Sequence, residues 1–172
     1  MKSQTIEQFA AEFLRQGEDF GRKLAPAMTQ CEVIVHAGIA DCFARQGGPE
    51  GEVWPPRKDP AGKHPLLDES GALKAAATGK GPGAVTRIAD DSLEIGVDAS
   101  VEQGGLPGAF VHQFGATIRP VSKLFLSWVD PLGQRIFAKQ VTIPARPYLG
   151  FSVDTADRCC EVLADGALEQ LQ

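Results

Sequence analysis

The sequence lacks the features that mark several large classes of protein. No apolar run approaches the roughly 20 residues of a membrane-spanning helix. The N-terminal stretch is acidic and amphipathic, without the apolar core and cleavage site of a secretory signal. Lysine and arginine total 17 against 22 aspartates and glutamates, and this net charge of −5 argues against bulk nucleic-acid binding. We therefore expect a protein that stays in the cytoplasm of the cell that makes it and has no membrane partner.

Cysteine and histidine are scarce and poorly spaced for metal binding. The four cysteines, which form no Cys-x-x-Cys pair, are Cys31, Cys42, Cys159 and Cys160. The three histidines, none within four residues of another, are His36, His64 and His112. Zinc sites need closer ligand pairs than these. We therefore expect free thiols, as in other cytosolic chains, and no metal.

Catalytic motifs are also missing. The sequence has no Gly-x-Ser-x-Gly nucleophile elbow. Residues 79–83 are glycine-rich, but they lack the phosphate-loop pattern and no apolar strand precedes them. No cluster supplies a nucleophile, a base and oxyanion donors. No catalytic or cofactor-binding residue can be assigned from these patterns, and a small metal-dependent hydrolase with an unrecognised site stays open as a lesser alternative.

Glycine and proline are abundant instead, at 19 and 12 residues, and they predict long loops. Residues 47–65 hold five prolines and four glycines, and residues 98–108 form a second glycine-rich loop. Loops of this length in a compact domain are usually functional or disordered. Trp54 lies in the middle of the first loop. Two interpretations stay open: the loop folds back so that Trp54 packs on its own domain, or it is an arm that docks Trp54 on a neighbouring subunit.

Apolar periodicity predicts four helices. They span residues 5–14, 26–46, 66–78 and a C-terminal stretch that Asp154 caps. Gly47 and Gly48 are the expected stop of the second helix. In the third, Leu67, Leu73 and Ala77 are the inward positions. The last helix shows one apolar face, formed by Cys160, Leu163, Ala164, Ala167, Leu168 and Leu171.

Two hairpins are predicted between the third and the last helix. The first joins residues 84–88 to 93–97, and the second joins 124–129 to 135–139. Between the hairpins, residues 110–114 form a helical turn that Gly115 closes. Prolines make residues 141–151 a stiff extended segment. The order of elements predicts an α+β fold with N-terminal helices, a small, mainly antiparallel sheet with long loops, and a C-terminal helix, in one domain over residues 1–172.

Several stretches occur in an order typical of one family. They are Trp54-Pro55-Pro56, His64-Pro65-Leu66-Leu67 with Ser70-Gly71-x-Leu73, Phe110-Val111-His112-Gln113-Phe114-Gly115, and Ile143-Pro144-Ala145-Arg146-Pro147-Tyr148-Leu149-Gly150. Over essentially its whole length the chain resembles the phage virion morphogenesis (tail completion) family of Mu-like tailed phages. The family often has Tyr-Ala just before the histidine, where this chain has Phe110-Val111.

The resemblance implies a structural virion protein without enzymatic activity. Such a protein acts in tail completion or head–tail joining, as a ring at the neck or tail terminus, with hexameric symmetry to match the tail. The implied partners are other copies of the chain, the head–tail connector, and tail tube or terminator proteins, with phage DNA only as passing cargo. The implied location is the neck or tail of the virion, and the host cytoplasm during assembly. A monomeric adaptor that binds a protein through the proline-rich loop is the main alternative.

The matched motifs also supply the residues expected at the assembly or partner interface. These are Trp54, Pro55, Pro56, Leu67, Phe110, His112, Phe114, Gly115, Arg146, Pro147, Tyr148 and Leu149. Prolines would hold Tyr148 and Leu149 in fixed directions, to anchor in the core or on a partner. Arg146 is expected to pair with a nearby acidic group. The His112 side chain is expected to hydrogen-bond backbone and to shape the turn at Gly115.

Overall fold

Helices and small antiparallel sheets both occur in the chain, which confirms the predicted α+β class. The computed structural model of the protein describes residues 6–57, 64–89, 91–101, 108–130 and 132–169. Its antiparallel strands form three separate two-stranded sheets. Parts of both predicted loops and the apolar position Leu171 lie outside the described residues.

The longest element is helix α1 (Ile6–Arg45), which replaces the two separate helices predicted at residues 5–14 and 26–46. Pro26 lies inside this helix, where a missing N–H costs about 3 kcal/mol. Packing offsets that cost, because α1 runs antiparallel to the C-terminal helix α4 (Val153–Leu168). Ala27 is buried there, and a Cβ built on Gly166 would lie only 3.1 Å from its Cβ. Continuing the helix through Pro26 therefore keeps this close contact.

Helix α1 ends on a glutamine instead of on the two glycines that were expected to stop it. Gln46 takes the left-handed conformation, with φ +56°. The N–H of Gly47 then donates to the carbonyl of Cys42 at 3.0 Å, which satisfies a free end of the helix. The carbonyl of Gln46 accepts from the N–H of Trp54 at 3.1 Å. The proline-rich loop is thus turned back along the end of α1.

Helix α2 (Ala72–Ala77) is much shorter than the helix predicted over residues 66–78. Leu67 and Gly71 both have positive φ, at +60° and +74°, so an α-helix cannot pass through them. The predicted inward positions Leu67, Leu73 and Ala77 are nevertheless all buried. Strands β1 (Ala84–Ile88) and β2 (Leu93–Val97) form the first hairpin as predicted.

The second half of the chain forms a short helix and a long ribbon. Helix α3 (Gly108–Phe114) contains the predicted helical turn. Strand β3 (Ala116–Ile118) pairs with β6 (Val141–Ile143), and between them β4 (Leu126–Val129) pairs with β5 (Arg135–Ala138). We call residues 116–130 and 132–143 the ribbon. Its inner hairpin confirms the second predicted hairpin.

Helix α4 differs from the prediction in its cap and in its buried face. Ser152 caps it, because its Oγ accepts from the N–H of Thr155 at 3.0 Å, and Asp154 lies in the first turn. Thr155 is buried against α1, where its Oγ1 lies close to Gly38. Cys159 is half-buried, and its carbonyl faces the thiol of Cys31 at 3.7 Å. Three positions that were predicted to face inward are exposed: Cys160, Ala164 and Leu168.

The core lies where α1, α2, the first hairpin and α3 meet two loop segments. Its buried members are Val35, Ile39, Cys42, Phe43, Trp54, Leu67, Leu73, Ala76, Ala77, Val101, Ala109 and Tyr148. Two of the largest, Trp54 and Tyr148, come from segments without regular structure. In the part of the chain that the structure describes, no helix is both long enough and apolar enough to cross a bilayer.

Candidate functional site

Trp54 is an interior residue. It is 2% exposed, and its ring meets Phe43 edge-on at a centroid distance of 5.7 Å. Its indole N–H donates to the carbonyl of Pro147 at 2.8 Å. A buried indole needs such a partner for its polar atom. The described part of the proline-rich loop therefore packs Trp54 on its own chain, as in the first of the two interpretations left open by the sequence.

Arg146 fastens the two prolines that follow Trp54. Its Nε donates to the carbonyl of Pro55 at 2.9 Å, and its guanidinium also donates to the carbonyl of Pro56 at 3.2 Å. Its backbone N–H donates to the carbonyl of His112 at 2.7 Å. Burial, with the nearby charge of Arg57, lowers the pKa of the Arg146 guanidinium. Arg146 was expected to pair with an acidic group. Among the described residues, its guanidinium binds carbonyl oxygens instead.

Gln113 joins α3 to the segment that carries Tyr148. Its Oε1 accepts from the N–H groups of Tyr148 and Leu149, both at 3.0 Å. Its Nε2 donates to the carbonyl of Leu149 at 2.8 Å. One side chain thus satisfies three backbone groups that belong to no strand. Gln113 was not among the residues expected to be functional, although its position beside His112 in the matched motif indicated that it could be.

Tyr148 anchors the same segment in the core. It is fully buried, and its ring lies 5.6 Å from that of Phe43. Its hydroxyl donates to the carbonyl of Ala109 at 3.0 Å. Burial raises the pKa of this hydroxyl far above its usual value, so it stays a hydrogen-bond donor. Of the two roles considered for Tyr148, the structure shows the core anchor.

Gly115 is required by the approach of the two segments. It closes α3 as predicted, with φ +74°. A Cβ at this position would lie 2.8 Å from the backbone nitrogen of Ala145 and 3.1 Å from the carbonyl oxygen of Ile143. Any other residue would push these backbones apart.

His112 does not play the part expected of its side chain. Its Nδ1 is buried and has no hydrogen-bond partner among the described residues. Burial and the charge of Arg146 lower the pKa of its imidazole. The link to the next segment comes from its backbone carbonyl, which accepts from Arg146. The neutral ring therefore fills space.

These contacts join three distant stretches of the chain into one unit. We call it the clasp, and it consists of residues 54–56, 109–115 and 143–149. Most of the residues expected at an interface lie in it and contact their own chain: Trp54, Pro55, Pro56, His112, Gly115, Arg146, Pro147, Tyr148 and Leu149. Leu67 is also a core residue. Phe110 and Phe114 are different, because they are 62% and 65% exposed with ring centroids 5.0 Å apart.

The ribbon is the opposite of the clasp. Its strands β4 and β5 make their main contacts with each other. Trp128 is 43% exposed and Phe137 is 62% exposed. Other large apolar side chains exposed on the ribbon are Val121, Leu124, Phe125, Val129 and Leu132. Seven of the fifteen large apolar side chains that are exposed in the described residues thus lie on the ribbon, which makes it the candidate for an interaction surface.

The combination of motifs and their joining in one clasp points to a particular family. The model of the phage virion morphogenesis family matches residues 1–166. The chain belongs to the phage virion morphogenesis family. No curated protein and no solved structure matches it significantly.

In this member of the virion morphogenesis family, three of the four matched stretches contribute to the clasp. The clasp positions the ribbon, because Ala116 and Ile143 pair at the base of the ribbon, directly beside Gly115. Among the described residues, no group of three histidines, cysteines or carboxylates is arranged to hold a metal ion.

Proposed function

We propose that this member of the virion morphogenesis family completes the tail or joins head and tail, as a ring of identical copies at the neck or tail terminus. Its role is structural and not catalytic. The ring has the symmetry of the tail and so is hexameric. Family membership supports the role in virion construction, and the ribbon supports assembly.

The observation that carries the proposal is the exposed apolar surface of the ribbon. A two-stranded hairpin alone in water is marginally stable. Here the hairpin of β4 and β5 also leaves Trp128, Val129 and Phe137 exposed. Complete burial of a fully exposed side chain such as Val or Phe is worth about 1.5–3 kcal/mol, and these partly covered side chains would gain a part of that at an interface. A copy of the chain that covers the ribbon would stabilise both the ribbon and the assembly.

The other proposed partners follow from the position of such a ring. It would contact the head–tail connector on one side and the tail tube or terminator protein on the other. DNA would pass through its lumen, and the net charge of −5 suits a channel along which DNA slides without binding. The protein would be found in the neck or tail of the virion, after assembly in the host cytoplasm.

The monomeric adaptor is the second candidate, and it relies on a proline-rich loop that is free to bind a partner. In the described part of that loop, Trp54 is buried and Arg146 binds the carbonyls of Pro55 and Pro56, while the side chains of Val53, Pro55 and Pro56 are exposed. We favour the ring, because the ribbon exposes more large apolar side chains than this part of the loop does.

The test is the solution mass by light scattering after size exclusion over a wide concentration range, with electron microscopy of the peak. We expect a discrete ring. If the free protein is monomeric, purified tail tubes and portal-bearing heads are added in turn, and we expect ring-shaped density at the tube end or the neck. A protein that stays monomeric and binds neither particle would contradict the proposal.

A further inference from the structure

The outer part of the ribbon combines apolar side chains with unbalanced positive charge. Val129 and Phe137 lie on one face of the hairpin, together with Ser127 and Arg135, because the register pairs Val129 with Arg135 and Ser127 with Phe137. All four of these side chains are exposed. The opposite side holds Leu126, Ile136 and Ala138, which are half-buried, and Trp128, which is 43% exposed. The face with Val129 and Phe137 is therefore open to solvent in the described chain.

The charge on the ribbon opposes that of the whole chain. Its basic residues, all exposed, are Arg119, Lys123, Arg135 and Lys139. Its one acidic residue among those described, Asp130, is engaged in the turn, where its Oδ1 accepts from the N–H groups of Leu132 and Gln134 at 2.9 and 2.8 Å. Arg119 donates to Gln140, and in the described part of the chain none of the four basic residues forms an ion pair with a carboxylate. The ribbon is a basic, apolar arm on an acidic protein.

Helix α4 presents the complementary surface. Its face away from α1 carries an apolar stripe at helical spacing, which we call the α4 stripe: Val153, Cys160, Ala164 and Leu168. All four are exposed, with Val153 at 67% and Leu168 at 58%. Acidic residues within and beside the stripe are Asp154, Asp157, Glu161 and Asp165, all exposed. Arg158 is the one basic residue of α4, and it lies 3.8 Å from Asp154.

We propose that the ribbon of one copy docks on the α4 stripe of the next copy. The inference rests on the proposed ring, and it names the two surfaces that would build it. Val129 and Phe137 would pack on the stripe, while Arg135 and Lys139 would meet Asp157 and Glu161. The ribbon and the α4 stripe are different surfaces of the same chain, so each copy would contact the next head-to-tail. Such contacts close into a ring when the rotation between neighbouring copies permits it.

We infer that the partner of each surface is a second copy of the chain, because the two surfaces carry opposite charge. Opposite charge on the two surfaces steers docking and fixes its register. The ribbon does not cover its own α4 stripe, because the side chains of both surfaces are exposed in the described chain. Both surfaces are consequently available to neighbouring copies.

A charge-reversal cycle tests the contact directly. The first variant is Arg135→Glu with Lys139→Glu, the second is Asp157→Lys with Glu161→Lys, and the third combines all four changes. We expect each pair alone to raise the subunit dissociation constant at least about tenfold, because like charges then face each other. The combined variant should return to within about threefold of the unmodified protein. Two effects that simply add in the combined variant would overturn the proposal.

A matched control reverses an exposed pair elsewhere. Arg87 and Glu94 form a cross-strand ion pair at 2.7 Å on the first hairpin. Arg87→Glu with Glu94→Lys keeps this pair and the net charge, so the dissociation constant should not change. Circular dichroism of every variant should match that of the unmodified protein, since all the altered side chains are exposed.

Cross-linking extends the test to conditions in which the free protein is monomeric. Phe137→Cys places a thiol on the ribbon, and the native exposed Cys160 supplies its partner on the α4 stripe. A short bis-maleimide should then give a ladder of oligomers in solution or on tail tubes. Adding Cys160→Ala should remove the ladder. A ladder that survives this change, or no ladder beyond that of the unmodified protein, would reject the docking; rings observed alongside that result would leave the proposed function intact.

Discussion

The clasp and the ribbon differ in the exposure of their aromatic side chains. The clasp is made of loops and one short helix, yet it buries Trp54 and Tyr148 almost completely. The ribbon is regular antiparallel structure, yet it leaves Trp128 and Phe137 in contact with water. For these four aromatic residues, regular secondary structure is therefore no guide to burial. What differs is the number of distant segments that meet: the clasp joins three, whereas the inner hairpin of the ribbon pairs mainly with itself.

Residues of the clasp hold the fold together through hydrogen bonds to backbone groups. The exposed residues of the ribbon and of the α4 stripe belong to the surfaces that we propose for assembly. Substitutions in the clasp should therefore change the stability of the isolated chain, and substitutions of exposed ribbon residues should change assembly. Substitutions matched between the two regions test this division.

The largest effect is expected for Trp54→Ala. The change removes a fully buried ring and its hydrogen bond to Pro147, and large-to-small changes of this kind cost about 3–5 kcal/mol. Denaturant unfolding followed by circular dichroism measures the loss. Trp128→Ala on the ribbon is the matched control and should cost less than about 1 kcal/mol, because that ring is 43% exposed. Equal losses in the two variants would contradict the division.

The next effect compares two glycines, both with positive φ. Gly115→Ala should cost about 2–4 kcal/mol, from left-handed strain together with the collision of its Cβ with Ala145. Gly133→Ala, in the turn of the ribbon, has the same strain but nothing within 4 Å of its Cβ, so it should cost about 1 kcal/mol. Thermal unfolding of both variants measures the difference between their losses in stability. A larger loss for Gly133→Ala than for Gly115→Ala would contradict the prediction.

A smaller loss is expected for Gln113→Met. The new side chain has a similar size but leaves three backbone groups of Tyr148 and Leu149 without their partner. We expect a loss of about 2–3 kcal/mol in the free energy of unfolding. Gln140→Met, which removes an exposed hydrogen bond from Arg119 on the ribbon, should cost less than about 0.5 kcal/mol. If Gln113→Met were as mild as this control, the amide would not be holding the clasp.

The smallest effect is a pH dependence that comes from His112. Burial and the charge of Arg146 lower its pKa below the ordinary 6.5. The unfolded chain therefore binds the proton more readily than the folded chain. The part of the free energy of unfolding that depends on neutral His112 is fully present above pH 6.5. It is lost as the pH falls from 6.5 towards the lower pKa of His112 in the folded chain. Unfolding at a series of pH values measures the slope, which should flatten in His112→Gln.

Local patterns in the sequence predicted much of the fold correctly. Both hairpins lie where alternation and turn residues placed them, and the turn at Gly115 was also predicted. The errors occur where tertiary contacts override local preference. Leu67 and Gln46 take left-handed conformations that glycine would have signalled, and α1 passes through Pro26 because α4 packs beside it.

The candidate site was predicted by its motifs but not by its geometry. The order of the matched stretches indicated which residues matter, and most of them do meet in the clasp. Their partners were not predictable, because contacts such as Gln113 with Leu149 or Trp54 with Pro147 join positions far apart along the chain. In α4 the apolar residues occupy two faces. Periodicity alone could not tell that the small residues Thr155 and Gly166 would turn inward to allow close packing on α1.

Local periodicity, turn residues and ordered motifs were enough to predict the α+β class, the hairpins and the family of this protein. The burial of Trp54 and the exposure of the ribbon and the α4 stripe are known only from the folded chain. Burial depends on how segments that are distant along the chain pack together, and no local pattern records it. A tryptophan in a proline-rich loop is buried when another part of the chain supplies a carbonyl for its N–H and a surface for its ring. The residues of the loop alone do not indicate that contact.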